Sequence, residues 1–203
     1  MAVLVEAREV ATRLERIGVT VEDLIAIARA AVGARRSAVL DDPATAPGTL
    51  AYIFGTRQLR QQLAPRGFAR RRESGIESVY NPETGFRIAY QNADRAGDRS
   101  YDPVASSDKG DASARLVASG QGELFPRIRE EEMREASAPC YYLFVQAAGD
   151  DVRVELSYPG FVENGEFRGF NERIVIVEPG GWERFVVRDD EPGPDFDVEV
   201  SRK

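Results

Sequence analysis

ESGIESVYNPETGFRIAYQ, residues 73–91, is where the periodicity of this chain changes from helical to two. Ile76-Glu77-Ser78-Val79-Tyr80 and Phe86-Arg87-Ile88-Ala89-Tyr90 flank Asn-Pro-Glu-Thr-Gly, a turn-forming run between two half-buried strands. Alternation predicts a β-hairpin with Phe86, Ile88 and Tyr90 on one face and Arg87 and Gln91 on the other. The residues N-terminal to this hairpin read mostly as helix, and those C-terminal to it mostly as strand.

On the N-terminal side, Val3, Val10, Leu14 and Ile17 recur at helical spacings across residues 2–17, and Gly18 stops the pattern. Thr20, with Glu22 and Asp23 after it, supplies an N-cap and an acidic first turn for a second helix running to about Val32. Residues 38–48, with two prolines, read as a connector. A third helix is predicted over 49–63, with its apolar residues clustered early and recurring at Leu59 and Leu63, and with Arg57, Arg60 and Gln61 on the other face; Pro65 ends it. Helix, Gly-Val-Thr, helix has the outline of a DNA-binding helix-turn-helix. Its second helix, however, would present Glu22, Asp23, Ile25, Ala26 and Ala28 where base-reading side chains are needed, and acids repel phosphate. A helical hairpin packed on the core, or on a second copy of the chain, fits better.

On the C-terminal side, residues 141–146, 152–158, 173–177, 182–188 and 196–200 are five further candidate strands, with Gly149-Asp150-Asp151 and Pro179-Gly180-Gly181 as turns. Residues 94–122 are small, polar and glycine-rich, and read as a surface insertion or a functional loop. The expected fold is therefore α+β: an N-terminal helical hairpin plus a third helix, packed on a mainly antiparallel sheet of about six or seven strands. Residues 1–72 form a cationic helical region and 73–203 a β-rich region with the long polar loop 94–122, together one cooperative domain.

Composition narrows the chemistry. The chain has 203 residues, 42% of them hydrophobic, enough for a core, and no histidine. Without histidine, Ser-His-Asp and Cys-His catalysis, HExxH metalloprotease chemistry and His-ligated zinc are excluded. The one cysteine, Cys140, beside the apolar run Tyr141-Tyr142-Leu143-Phe144-Val145, reads as a buried, inert thiol. No run of about 18 apolar residues occurs, and Glu6, Arg8 and Glu9 interrupt the apolar start; this argues against a signal peptide or membrane span and for a cytoplasmic protein. No cofactor is implied by any motif.

Charge is unevenly distributed. From Arg29 to Arg72 nine arginines face only Asp41 and Asp42, a net +7, while the remaining 18 basic and 32 acidic residues leave −14. Lysine is confined to Lys109 and Lys203, and an arginine bias of this kind is also what a GC-rich, bacterial-like coding composition produces. The segregation suggests a surface for an anionic partner. Candidate nucleic-acid-binding residues are Arg57, Arg60, Arg66, Arg70, Arg71 and Arg72, on the third helix and the loop after it, joined by Lys109 and Arg115 in the long polar loop. Phe68 could stack on a base or anchor that loop. The competing expectation is that the arginines pair with the acidic C-terminal residues Asp189, Asp190, Glu191, Asp195, Asp197 and Glu199.

The expected function is thus a non-catalytic binding protein that engages nucleic acid or another polyanion. Its first alternative is an interaction subunit docking on an acidic protein partner, or forming a homo-oligomer through the N-terminal helices. A histidine-free metal-dependent nuclease built on Asp94, Glu155 or Glu77 comes last, because Glu155-Leu156-Ser157 lacks the lysine that such sites place two residues after the acid.

Overall fold

In the computed structural model, which describes residues 2–73, 75–107, 111–119 and 134–185, the hairpin at the periodicity switch forms as the sequence predicts. Strands β3 (Ile76–Asn81) and β4 (Phe86–Asp94) pair antiparallel, with Val79 opposite Ile88 and Asn81 opposite Phe86. The turn is closed by Asn81, whose Oδ1 accepts from the backbone N–H groups of Glu83 (2.9 Å) and Thr84 (3.3 Å). Ile88 and Tyr90 enter the core under the helices, and Phe86 packs against it. Arg87 and Gln91 take the other face, where both are buried rather than solvated.

That second burial is a result of the topology. Among the described residues, an eight-stranded, mainly antiparallel sheet runs around the hairpin. Its other members are β1 (Ala2–Leu4), β2 (Ala69–Glu73), β5 (Val104–Ala105), β6 (Cys140–Ala148), β7 (Asp151–Tyr158) and β10 (Glu172–Val177). The order is β1-β10-β7-β6-β4-β3-β2, with β5 also paired to β4; β1/β10 and β4/β6 are the parallel pairs. A separate small hairpin, β8 (Phe161–Glu163) and β9 (Glu166–Arg168), lies outside the main sheet.

Helices α1 (Ala7–Ile17), α2 (Val21–Arg36) and α3 (Ala46–Leu63) cover one face. Gly18, left-handed at φ 95°, ends α1, and a capping box between Thr20 and Asp23 starts α2. Leu14, Ile17, Leu24, Ile27, Leu59 and Leu63 are fully buried against Val154, Leu156 and Ile174 of the sheet, each contributing about 1.5–3 kcal/mol of transfer free energy. Gly55 lets α3 lie directly on the Tyr90 ring: a Cβ there would sit 2.5 Å from a ring carbon.

The opposite face carries a second, smaller core. Cys140, Tyr142 and Phe144 pack with Leu116 and Val117 of α4 (Asp111–Ser119) and with Phe167 and Phe170; the rings of Tyr142 and Phe167 lie 4.5 Å apart. Covering of the sheet on both sides is what turns the "polar" positions of β4 inward.

Four expectations are corrected. Residues 2–4 form the edge strand β1 rather than the start of a helix, because Glu6 marks the true N-terminal boundary of α1. Residues 69–73 are strand β2, not a loop. Residues 182–185 form a short 3-10 helix, Trp182–Phe185, instead of opening a strand, since Trp182 turns into the helix-side core. The polar segment 94–122 contains β5 and α4. The strand predicted at 196–200, and residues 186–188, lie outside the described residues. No helix among the described residues is long and apolar enough to cross a membrane.

Candidate arginine-rich binding surface

The cationic stretch is built on three consecutive pieces. α3 ends in a short 3-10 helix, Ala64–Arg66, where Pro65 prevents continuation; Phe68 is buried and β2 begins. Phe68 is therefore the anchor of this connection. Asn81 Nδ2 donates to the Arg66 carbonyl (2.9 Å) and fixes the connection to the β3–β4 turn.

Alternation along β2 then sorts the arginines. Arg70 lies opposite Val79 and Arg72 opposite Glu77, on the helix-covered side, while Arg71 lies opposite Ser78 on the other. Glu77 receives both Arg60 of α3 and Arg72 of β2 (Nε to Oε1 3.2 Å), so these two candidates are brought together through one carboxylate. Arg66 pairs with the buried Asp23 (2.5 Å), which also accepts from Gln62 (2.9 Å). Arg71 forks onto Glu135, with Nη2 to Oε2 at 3.0 Å, and stacks over Tyr80.

Arg57 and Arg70 are exposed and form no ion pair among the described residues. The Arg57 guanidinium instead lies 4.6 Å over the Phe54 ring. Arg72 keeps 75% of its side chain in solvent despite its pair with Glu77, and a pair that exposed is worth at most about 1 kcal/mol. Among the described residues, Arg57, Arg70 and Arg72 are thus the arginines of α3 and β2 left available, against Arg60, Arg66 and Arg71 engaged by part-buried or buried carboxylates. Arg115 is exposed on α4, across the sheet from α3, and does not join the cluster. Lys109, Asp189, Asp190, Glu191, Asp195, Asp197 and Glu199 lie outside the described residues.

The early apolar part of α3 reads as core, yet Tyr52, Ile53 and Phe54 are exposed, by 36%, 43% and 38%, as are Val39 and Leu40 in the preceding loop. The signal that marks them is helical phase: Ile53, Arg57 and Gln61 recur every four residues, and Phe54 lies three before Arg57.

The carboxylate alternative meets a different geometry. Glu155 is fully buried, and both of its oxygens are occupied. Oε1 accepts from Ser157 Oγ (2.7 Å) and Arg173 Nε (3.1 Å); Oε2 accepts from the Gly97 N–H (2.7 Å) and Arg173 Nη2 (2.6 Å). Arg173 in turn donates to the carbonyls of Tyr101 (2.8 Å) and Asp98 (2.9 Å). This network fastens residues 97–102 to β7 and β10. Gly97 is required there, since its φ is +68° and a Cβ would meet the Val177 carbonyl oxygen at 2.4 Å. Among the described residues no group of three or more Cys, Asp or Glu side chains is placed to hold a metal ion, and Asp94 and Glu155 do not converge on one.

Cys140 is fully buried, and burial pushes its thiol up to about 12, as expected for an inert cysteine. A cavity of about 40 Å³ at the ends of β4 and β6, lined by Arg35, Tyr90, Asn92, Asp94 and Ser106, has room for a water or two but not for a cofactor. Compared with protein-family models, curated proteins and solved structures, the chain matches none.

Proposed function

We propose that this chain is a non-catalytic binding protein whose α3–β2 surface engages nucleic acid, in the cytoplasm. The observation that carries the reading is that Arg57, Arg70 and Arg72 remain exposed on one side of the molecule after the neighbouring arginines have been taken by Glu77, Asp23 and Glu135. Exposed Tyr52 and Phe54 beside them supply ring faces on which unpaired bases can stack, a mode that tolerates any sequence.

Three phosphate contacts set the expected salt response. Counterion release gives a slope of log K against log salt of about −2 for single strands and about −2.7 for duplex, so raising salt from 50 to 200 mM weakens binding about 20- to 40-fold. The test is fluorescence anisotropy of labelled single- and double-stranded DNA and RNA across that range. Arg57, Arg70 and Arg72 changed together to alanine should abolish binding, while Arg115→Ala leaves it unchanged. Wild-type affinity in the triple variant, or a slope near zero, refutes the reading.

A second reading, an acidic protein partner, is favoured by Ile53, Phe54, Val39 and Leu40, whose exposed apolar surface has no use in phosphate binding. It predicts a defined protein complex and no nucleic-acid affinity. Association through the N-terminal helices is the weaker form of that reading, because Val10, Leu14 and Ile17 of α1 are spent on the molecule's own core.

A further inference from the structure

The connection between α2 and α3 carries Leu40, whose side chain is 99% exposed. Its turn is nonetheless fixed. The Asp42 backbone N–H donates to the Val39 carbonyl (3.1 Å), and Asp42 Oδ2 accepts from the Val39 N–H (2.9 Å). An ordered turn with an outward leucine presents an apolar knob, and Asp41, exposed beside it, presents a charge. Only residues 43–45 separate this turn from Ala46, so it stays within about 14 Å of the start of α3. On α3 itself Thr49, Ile53 and Arg57 are exposed and recur every four residues, which makes them one stripe on the helix surface. Phe54 flanks the stripe, with the Arg57 guanidinium over its ring.

This surface has acids at one end, a base at the other and apolar side chains between. A nucleic acid on Arg57, Arg70 and Arg72 runs from α3 towards β2 and leaves the turn unused. An acidic protein laid along the stripe towards the turn would meet Asp41 and Asp42 with like charge. A second copy related by a two-fold axis meets both ends with opposite charge, because the ends exchange in an isologous contact. We propose that two copies of this chain associate through the 39–42 turn and the exposed stripe of α3. Leu40 of each copy seats against Ile53 and Phe54 of the other, and Asp41 of each lies against Arg57 of the other. The lengths agree. With the two α3 helices antiparallel and the axis level with Thr49, Ile53 lies about 6 Å and Arg57 about 12 Å beyond it. On the other copy Ala46 lies about 4.5 Å from the axis in the same direction, and the turn reaches up to about 14 Å further. The turn therefore covers the levels of both Ile53 and Arg57. One helix face and one turn fall at the low end of specific interfaces, about 1,200 Å² in total, which corresponds to a dissociation constant of about 1–100 μM. The inference goes beyond nucleic-acid binding, and it puts a second copy where the second reading has an acidic protein. If nucleic acid also binds, the two compete for Arg57.

The test is sedimentation equilibrium of the full chain, without nucleic acid, from about 1 to 300 μM. The weight-average mass should rise from that of one chain towards that of two and go no further. L40D and I53D, both at exposed positions, should each weaken association about ten-fold or more, since each change acts twice across the two-fold. R57D should do the same, as should D41R/D42N, whose second change keeps a side-chain acceptor for the Val39 N–H. An equimolar mixture of R57D with D41R/D42N should associate at near native strength, because both ends of the mixed dimer again set opposite charges together. A folding defect in either variant is not repaired by mixing. A single-chain mass at every concentration, a mass that climbs past two chains, association untouched by L40D or I53D, or a mixture no stronger than its components would each overturn the proposal. Failure of nucleic-acid binding would leave these masses unchanged.

Discussion

Replacing Arg173 with methionine isolates the interaction that most tightly fixes the second face of the sheet. The guanidinium is 1% exposed and its partner Glu155 is fully buried, so the substitution leaves a carboxylate in the interior with only the Gly97 N–H and Ser157 hydroxyl to satisfy it. Removing one member of such a pair costs about 3–5 kcal/mol. Glu155→Leu strands the guanidinium and should cost a similar amount. The double variant removes both buried charges and leaves the Gly97 N–H, the Ser157 hydroxyl and the carbonyls of Asp98 and Tyr101 without these partners, while Asp102, which Arg173 also meets at 3.5 Å, is exposed enough to be solvated, so it should fall short of the sum of the singles by about 2–3 kcal/mol. Urea unfolding monitored by the fluorescence of Trp182, the single tryptophan, measures all four proteins, because Trp182 packs in the helix-side core and reports global unfolding. A domain holding about 5–15 kcal/mol in total can carry each single change. Additive costs, or an Arg173→Met cost below about 1 kcal/mol, would refute the argument that this is a mutually dependent buried pair.

Two further outcomes are expected. Gly55→Ala should destabilise by about 1–3 kcal/mol, since its Cβ must displace either α3 or the buried Tyr90 ring; an unshifted urea midpoint would contradict that packing. Cys140, pushed up to about 12 by burial, is ionised at pH 8 to roughly one part in ten thousand, so a thiol reagent should label it only on unfolding, and rapid labelling of the native protein would refute its burial. Burial also raises Tyr90, Tyr141 and Tyr142. The folded state therefore keeps protons that the unfolded chain releases from about pH 9 upward. Stability from these groups is fully present below that pH and should decline between about pH 9 and 12, visible as a falling urea midpoint.

How legible each element is in the sequence depends on how many of its faces are buried. The β3–β4 hairpin and strands β6, β7 and β10 are readable because alternation or a continuous apolar run marks strands that pack on a core. α1 and α2 are readable because Val10, Leu14 and Ile17, then the Thr20–Asp23 capping box, mark both period and boundary. β2 is not, because Ala-Arg-Arg-Arg-Glu has no apolar alternation: most of its side chains are exposed, and among the described residues its strand character comes from pairing with β3. The burial of Arg87, Glu155 and Arg173 is not readable, for the converse reason. Their ionic partners and the cover over them come from residues 97–102 and from Glu73 and Glu135, distant in sequence and polar in composition.

The same distinction governs the arginine surface. Composition sets a local excess of positive charge, but a charge becomes available to a partner only when no neighbour has claimed it, and neighbours are set by register. One residue of register separates Arg71, forked onto Glu135, from Arg70 and Arg72 on the open side. Of the six arginines that α3, the 3-10 turn and β2 contribute to the excess of +7, three are therefore engaged by Glu77, Asp23 and Glu135 and three, Arg57, Arg70 and Arg72, are left to set the expected salt slope of binding.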